Sequence, residues 1–117
     1  MNLSQTQLRP LATIGGKNPA TFLLPPDLIN PDIVSELLSR IDARLNAGCA
    51  RLTIDGHELK WCNSAFAEAM IQIALRIRRC GAACEVRGLP EHALDVIDLC
   101  KLRPFLARAG MVLLAAA

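Results

Sequence analysis

Residues 51–79 read RLTIDGHELKWCNSAFAEAMIQIALRIRR. The first five place Leu52, Thr53 and Ile54 between charged ends, the content of a strand. Asp55-Gly56-His57 is turn chemistry. Leu59-Lys60-Trp61-Cys62 is expected to return to the core in extended form. Asn63 carries a side-chain oxygen suited to cap a helix, and residues 64–80 place Phe66, Ala69, Met70, Ile73, Ala74 and Ile77 at helical spacing. Ile71 and Leu75 lie beyond that stripe, so the helix is expected to pack on a sheet and to be covered on a second side as well. Gly81 ends it.

Upstream, Asn30-Pro31-Asp32 is a helix start: Asn as cap, Pro at the first helical position, Asp in the first turn. The helix it opens is expected to run to residue 46, with Val34, Leu37, Leu38, Ile41 and Leu45 on one face and Gly48 as the stop. Pro25-Pro26 closes a short strand over residues 20–24. Residues 8–14 read as an earlier edge strand, joined to it through the turn 15–19, so that the two form a hairpin. Downstream, residues 82–87 read as another strand, and Gly88-Leu89-Pro90-Glu91 opens a third helix with Pro90 at its first position. Ala93, Leu94, Ile97 and Cys100 are its expected inner side, and residues 105–108 form a short fourth helix. The apolar tail 111–117 reads as a strand or as the start of further chain.

Strands separated by single helices become parallel through right-handed crossovers. The fold class expected is therefore α/β: one domain over residues 1–117, a small mixed sheet of about four to five strands layered with helices, the first hairpin supplying its antiparallel pair. A chain of 117 residues buries roughly two thirds of its unfolded surface and needs no staples. The 52% apolar and 21% charged content excludes disorder. With 3% aromatics and no Tyr there is little to stack on bases, and a net charge of +2 is too small for a nucleic-acid binder. Arg76, Arg78 and Arg79 end a helix, where cations offset the dipole. Five cysteines inside apolar runs fit buried, reduced thiols and a cytoplasmic setting. No cationic head with an apolar run opens the sequence, and no uninterrupted apolar stretch is long enough to span a membrane.

The loop after a central strand of an open α/β sheet lies on the edge that carries binding sites. That makes Asp55, His57, Glu58, Asn63 and Ser64 the expected functional residues. Ser64 falls at a helix N-terminus, where amides and the dipole favour an anion, a phosphate on Ser64 included. The plainer reading makes Asn63 and Ser64 caps. Asp55, His57 and Ser64 lack the nucleophile elbow and the glycine-rich oxyanion loop of a hydrolase. Cys80, Cys84 and His57 lack the paired spacing of a zinc site, and Gly15-Gly16-Lys17 lacks that of a P-loop. No metal and no cofactor is expected. Cys62, near the helix start, has either a lowered pKa or an inward side chain.

Over residues 20–109 the pattern resembles a STAS domain. LPPDLINPDIVSELLSRID is similar to that family's opening strand, loop and first helix. RLTIDGHELKWCNSAF resembles the strand that leads into its Asp-Ser-Ser-Gly or Asp-Ser-Gly loop. CGAACEVRGLPEHALDVIDLCKLRPFL resembles its closing strand, turn and last helices. Here Asn63 stands where the family's Asp usually is, Ala65 where a second Ser is common, and Phe66 where Gly is usual, adding bulk where a partner approaches.

The resemblance implies a non-enzymatic regulatory module that binds a protein partner, as anti-sigma factor antagonists do. Asp55, His57, Glu58, Asn63, Ser64, Ala65 and Phe66 would form the partner surface, and a partner kinase would phosphorylate Ser64. A phosphate there would act through charge repulsion and loss of surface fit. The alternative is a STAS subunit or domain regulating an ABC-type lipid transporter or a permease, with the ATPase or permease as partner. An enzyme using Cys62 or Ser64 with His57 is a third reading that no motif supports. Homodimerisation, if it occurs, would use the first helix or the N-terminal edge strand.

Overall fold

The computed structural model describes residues 19–114. Strand β1 spans Ala20–Leu23, helix α1 Pro31–Asn46, β2 Arg51–Asp55, α2 Ser64–Cys80, β3 Ala83–Arg87, α3 Glu91–Leu99, α4 Arg103–Arg108 and β4 Met111–Leu113. The strands lie in the order β1-β2-β3-β4, and all three pairings are parallel. The expected layered α/β class is what the chain adopts. The strand expected over residues 8–14, which would make the sheet mixed, lies outside the described residues.

This order has a geometric consequence. Crossovers of one hand between strands laid down in one direction all pass over the same face. Register and burial agree. Ala20, Leu52, Cys84 and Met111 form one buried row, and Phe22, Ile54 and Val86 the next. The rows between them, Thr21-Thr53-Glu85-Val112 and Leu23-Asp55-Arg87, are exposed or half-buried. The core therefore sits between one sheet face and the helices.

Helix α1 starts as its sequence dictates: Asn30 accepts from the Asp32 amide at 2.7 Å and Pro31 opens the first turn. Val34, Leu37, Leu38, Ile41 and Leu45 are its buried face. Helix α2 is the spine. Phe66, Ala69, Met70, Ile73, Ala74 and Ile77 are wholly buried, and burying each large side chain stabilises the fold by about 1.5–3 kcal/mol. Gly81, left-handed at φ 70°, closes the helix, and its N–H and that of Ala82 both reach the Ile77 carbonyl. Between α1 and α2, Arg76 Nε donates to Asp42 Oδ1 at 2.8 Å.

Four expectations need correction. Pro90 is extended (ψ 162°) and precedes α3 as its cap rather than opening it, because a cap residue must leave the helical region. Cys100 follows α3 and is exposed, since the helix ends one residue short of its inward position. Of the five thiols, Cys49 and Cys84 are buried and Cys62 is half-buried, but Cys80 and Cys100 are exposed at helix ends. The segment Leu59-Lys60-Trp61-Cys62 is not a strand: the amides of Lys60 and Trp61 both donate to the Pro26 carbonyl, and of the four only Leu59 is buried. That shared acceptor breaks the alternation an extended segment would have kept.

Candidate functional site

All three βα loops, after β1, β2 and β3, emerge at the carboxyl rim of the sheet. The middle one, residues 56–63, is held from both sides. Gly56 donates to the Arg87 carbonyl at 2.9 Å, tying it to β3. Lys60 and Trp61 donate to Pro26 at 2.9 and 3.1 Å, tying it to the loop after β1. Gly88, at φ 73°, lets the β3 loop pass close: a Cβ there would stand 3.1 Å from Asp55 Oδ1 and 3.2 Å from the His57 amide nitrogen.

Asp55 ends β2 and organises the start of the loop. Its Oδ1 accepts from the His57 amide at 3.0 Å and faces His57 Nδ1 at 2.8 Å. The amide bond, then the side-chain contact, hold the Asp55 carboxyl below its ordinary pKa. In return the hydrogen bond to Asp55, and then its charge, raise the His57 imidazole. His57 Nε2 lies 3.8 Å from Glu58 Oε2. Neither ring nitrogen is hydrogen-bonded to Ser64, so the three residues of a hydrolytic triad are not assembled. Cys62 is equally unsuited to nucleophilic work, because burial pushes its thiol up to about 11. Among the described residues no group of three or more His, Cys, Asp and Glu could hold a metal ion.

Asn63 and Ser64 stand exposed where α2 begins. Asn63 Oδ1 accepts from Ala65 at 2.8 Å, and its carbonyl accepts from Phe66 and Ala67 at 3.1 and 3.3 Å. The cap therefore takes up most of the amides that were expected to greet an anion. The Ser64 hydroxyl has no hydrogen-bond partner among the described residues. Ala65 is half-buried. Phe66 is 0% exposed and lies beneath the rim, so it is no partner contact and adds no bulk there. Its place in the stripe of α2 decided this: a residue seven ahead of Ile73 shares its buried face.

Two features of this rim escaped the sequence reading. Trp61, the one tryptophan of the chain, is 62% exposed three residues ahead of Ser64. A groove of about 520 Å³ also runs between α1 and α2. Ser64, Ala65 and Glu68 line one wall; Pro31, Val34 and Leu38 line the other; Ile29, 42% exposed, stands at its mouth. The signal for Trp61 was the Pro25-Pro26 corner, which offers a carbonyl without continuing the sheet. The groove needed the packing of two helices and had no signature in either alone.

No helix of the described residues is long and apolar enough to cross a membrane. Comparison with protein-family models, with curated proteins and with solved structures finds no match to this chain.

Proposed function

We propose that this protein is a regulatory binding module of the anti-sigma factor antagonist type, with no catalytic role of its own. It presents the Ser64 loop and the start of α2 to an anti-sigma kinase or a similar signalling protein. The observation that carries this reading is the pairing of an exposed Ser64 hydroxyl with an exposed Trp61 on one rim. Tryptophan is enriched among the few residues that carry most of an interface's binding energy. Asp55, His57, Glu58 and Asn63 surround them, and burial of Phe66 leaves the approach open. The half-assembled Asp55–His57 pair and the raised Cys62 thiol favour binding over turnover.

Phosphorylation at Ser64 would add about −1.5 to −2 charges at the groove mouth. The helix N-terminus tolerates that charge, so the switch changes the surface without unfolding the helix. Incubation with candidate anti-sigma kinases and ATP, read by intact mass and fragmentation, is expected to place one phosphate on Ser64. A chain that takes up no phosphate from any of them, or takes it elsewhere with Ser64 spared, overturns the switch. Constitutive capture of a transporter ATPase, insensitive to Ser64→Asp, would instead support the transporter-subunit alternative.

A further inference from the structure

The structure points to the chemistry of the partner: we infer that the α1–α2 groove receives a cationic amphipathic segment of another protein, an aliphatic side chain flanked by Lys or Arg. The inference rests on the reading of the rim as a docking surface and adds what docks there.

The α1 side of the groove is largely apolar. Val34 and Leu38 make its α1 wall apolar and half-exposed Ile29 stands at its mouth, a lining suited to side chains presented at helical spacing. Further along the two helices Asp42 and Arg76 tie α1 to α2, and Arg76 Nη1 donates to Gln72 Oε1 at 2.9 Å. At the rim the groove begins at Asn63 and Ser64, directly after the Trp61 loop that Pro26 anchors.

The topology also separates the charges of the molecule. Helices α1, α2 and α3 all begin at the carboxyl rim. The rim and the first two turns carry Asp27, Asp32, Glu36, Asp55, Glu58, Glu68, Glu91 and Asp95 against Lys60 and Arg87. The opposite pole carries Arg44, Arg51, Arg76, Arg78, Arg79, Lys101, Arg103 and Arg108 against Asp42 and Asp98. A chain of nearly zero net charge is thus strongly polarised. Glu68, on the groove wall, forms no ion pair among the described residues; its only side-chain partner is Gln72 at 2.8 Å. An anionic segment would be repelled from this rim, and a cationic one steered to it.

The test uses the whole protein and two labelled peptides, each with one leucine stripe, one flanked by lysines and one by glutamates. Fluorescence anisotropy reports affinity, and the emission of Trp61 reports contact with the rim. The lysine peptide is expected to bind at least about tenfold more tightly, and to lose several-fold in affinity between about 50 and about 300 mM salt. Glu68→Lys, at an exposed position, is expected to narrow or invert the preference while circular dichroism stays unchanged. Equal binding of the two peptides, binding of neither, or a preference untouched by Glu68→Lys overturns the inference. A sedimentation coefficient that grows with protein concentration, without peptide, also overturns it, because the basic pole of a second copy would then fill the groove. Trp61→Ala separates this from the broader reading: equal binding of both peptides that Trp61→Ala still weakens leaves the rim a docking surface and removes only the cation rule.

Discussion

Trp61 and Phe66 are five positions apart, both large and aromatic, and their substitution is expected to have opposite outcomes. Phe66 is wholly enclosed, so Phe66→Ala should destabilise by about 3–5 kcal/mol in urea unfolding followed by circular dichroism. Trp61→Ala should stay within about 0.5 kcal/mol of the parent protein in the same experiment, while lowering partner binding. Sequence alone did not separate the two. Helical periodicity identified Phe66 as core, yet its position beside Ser64 also suggested a surface role. Trp61 lies in a segment expected to return to the core in extended form, and its side chain is instead 62% exposed. At the same scale, His57 offers a pH test. Its folded pKa is raised by Asp55, so its contact stabilises the fold below the ordinary histidine pKa and is lost as pH rises through the raised value. The lowered Asp55 works in the other direction: its contribution is present above the ordinary carboxyl pKa and lost as pH falls through the lowered one. NMR titration of His57 should show a midpoint above the ordinary value that drops in Asp55→Asn. A midpoint unmoved by Asp55→Asn would mean the contact is absent in solution.

At the scale of elements, the helices were the most legible part of the chain. Asn30-Pro31-Asp32 and Asn63 fixed two N-termini to the residue, and Gly81 fixed a C-terminus, because caps are local chemistry. Asn63→Ala removes the acceptor for Ala65 and should cost about 1 kcal/mol. Loss of the same size should not follow from Ser64→Ala, whose hydroxyl caps nothing. The loop after β2 was the least legible, since its course depends on Pro26 and Arg87, both remote in sequence. Gly88 is where that dependence can be probed. Gly88→Ala puts a side chain at φ 73° and within 3.2 Å of His57, so it should destabilise by about 1–3 kcal/mol. It should also displace His57, read as a chemical-shift change at its ring.

For the whole molecule, the parallel pairing of β1, β2 and β3 was legible from the alternation of elements, but the strand order, the joining of β4 and the one-sidedness were not. Nothing in a single strand states which face its neighbours' helices will take. The interior strands β2 and β3 are bonded on both sides, whereas β1 and β4 have one neighbour each among the described residues. Native-state hydrogen exchange should therefore show the slowest amides in Leu52, Ile54, Cys84 and Val86, and faster, sub-global opening in β1 and β4. Uniform protection across all four strands would mean the edges are covered in solution.

The same arrangement fixes how the molecule would bear a load. The described chain enters β1 at the amino end of one edge strand and leaves β4 at the carboxyl end of the other. Tension between those two points acts along the strands in opposite senses. It slides them past one another, so the rungs of the ladder resist together instead of opening in turn like a zip. A module of this build, tethered at both ends, should yield abruptly and at high force, with β1 or β4 shearing off first.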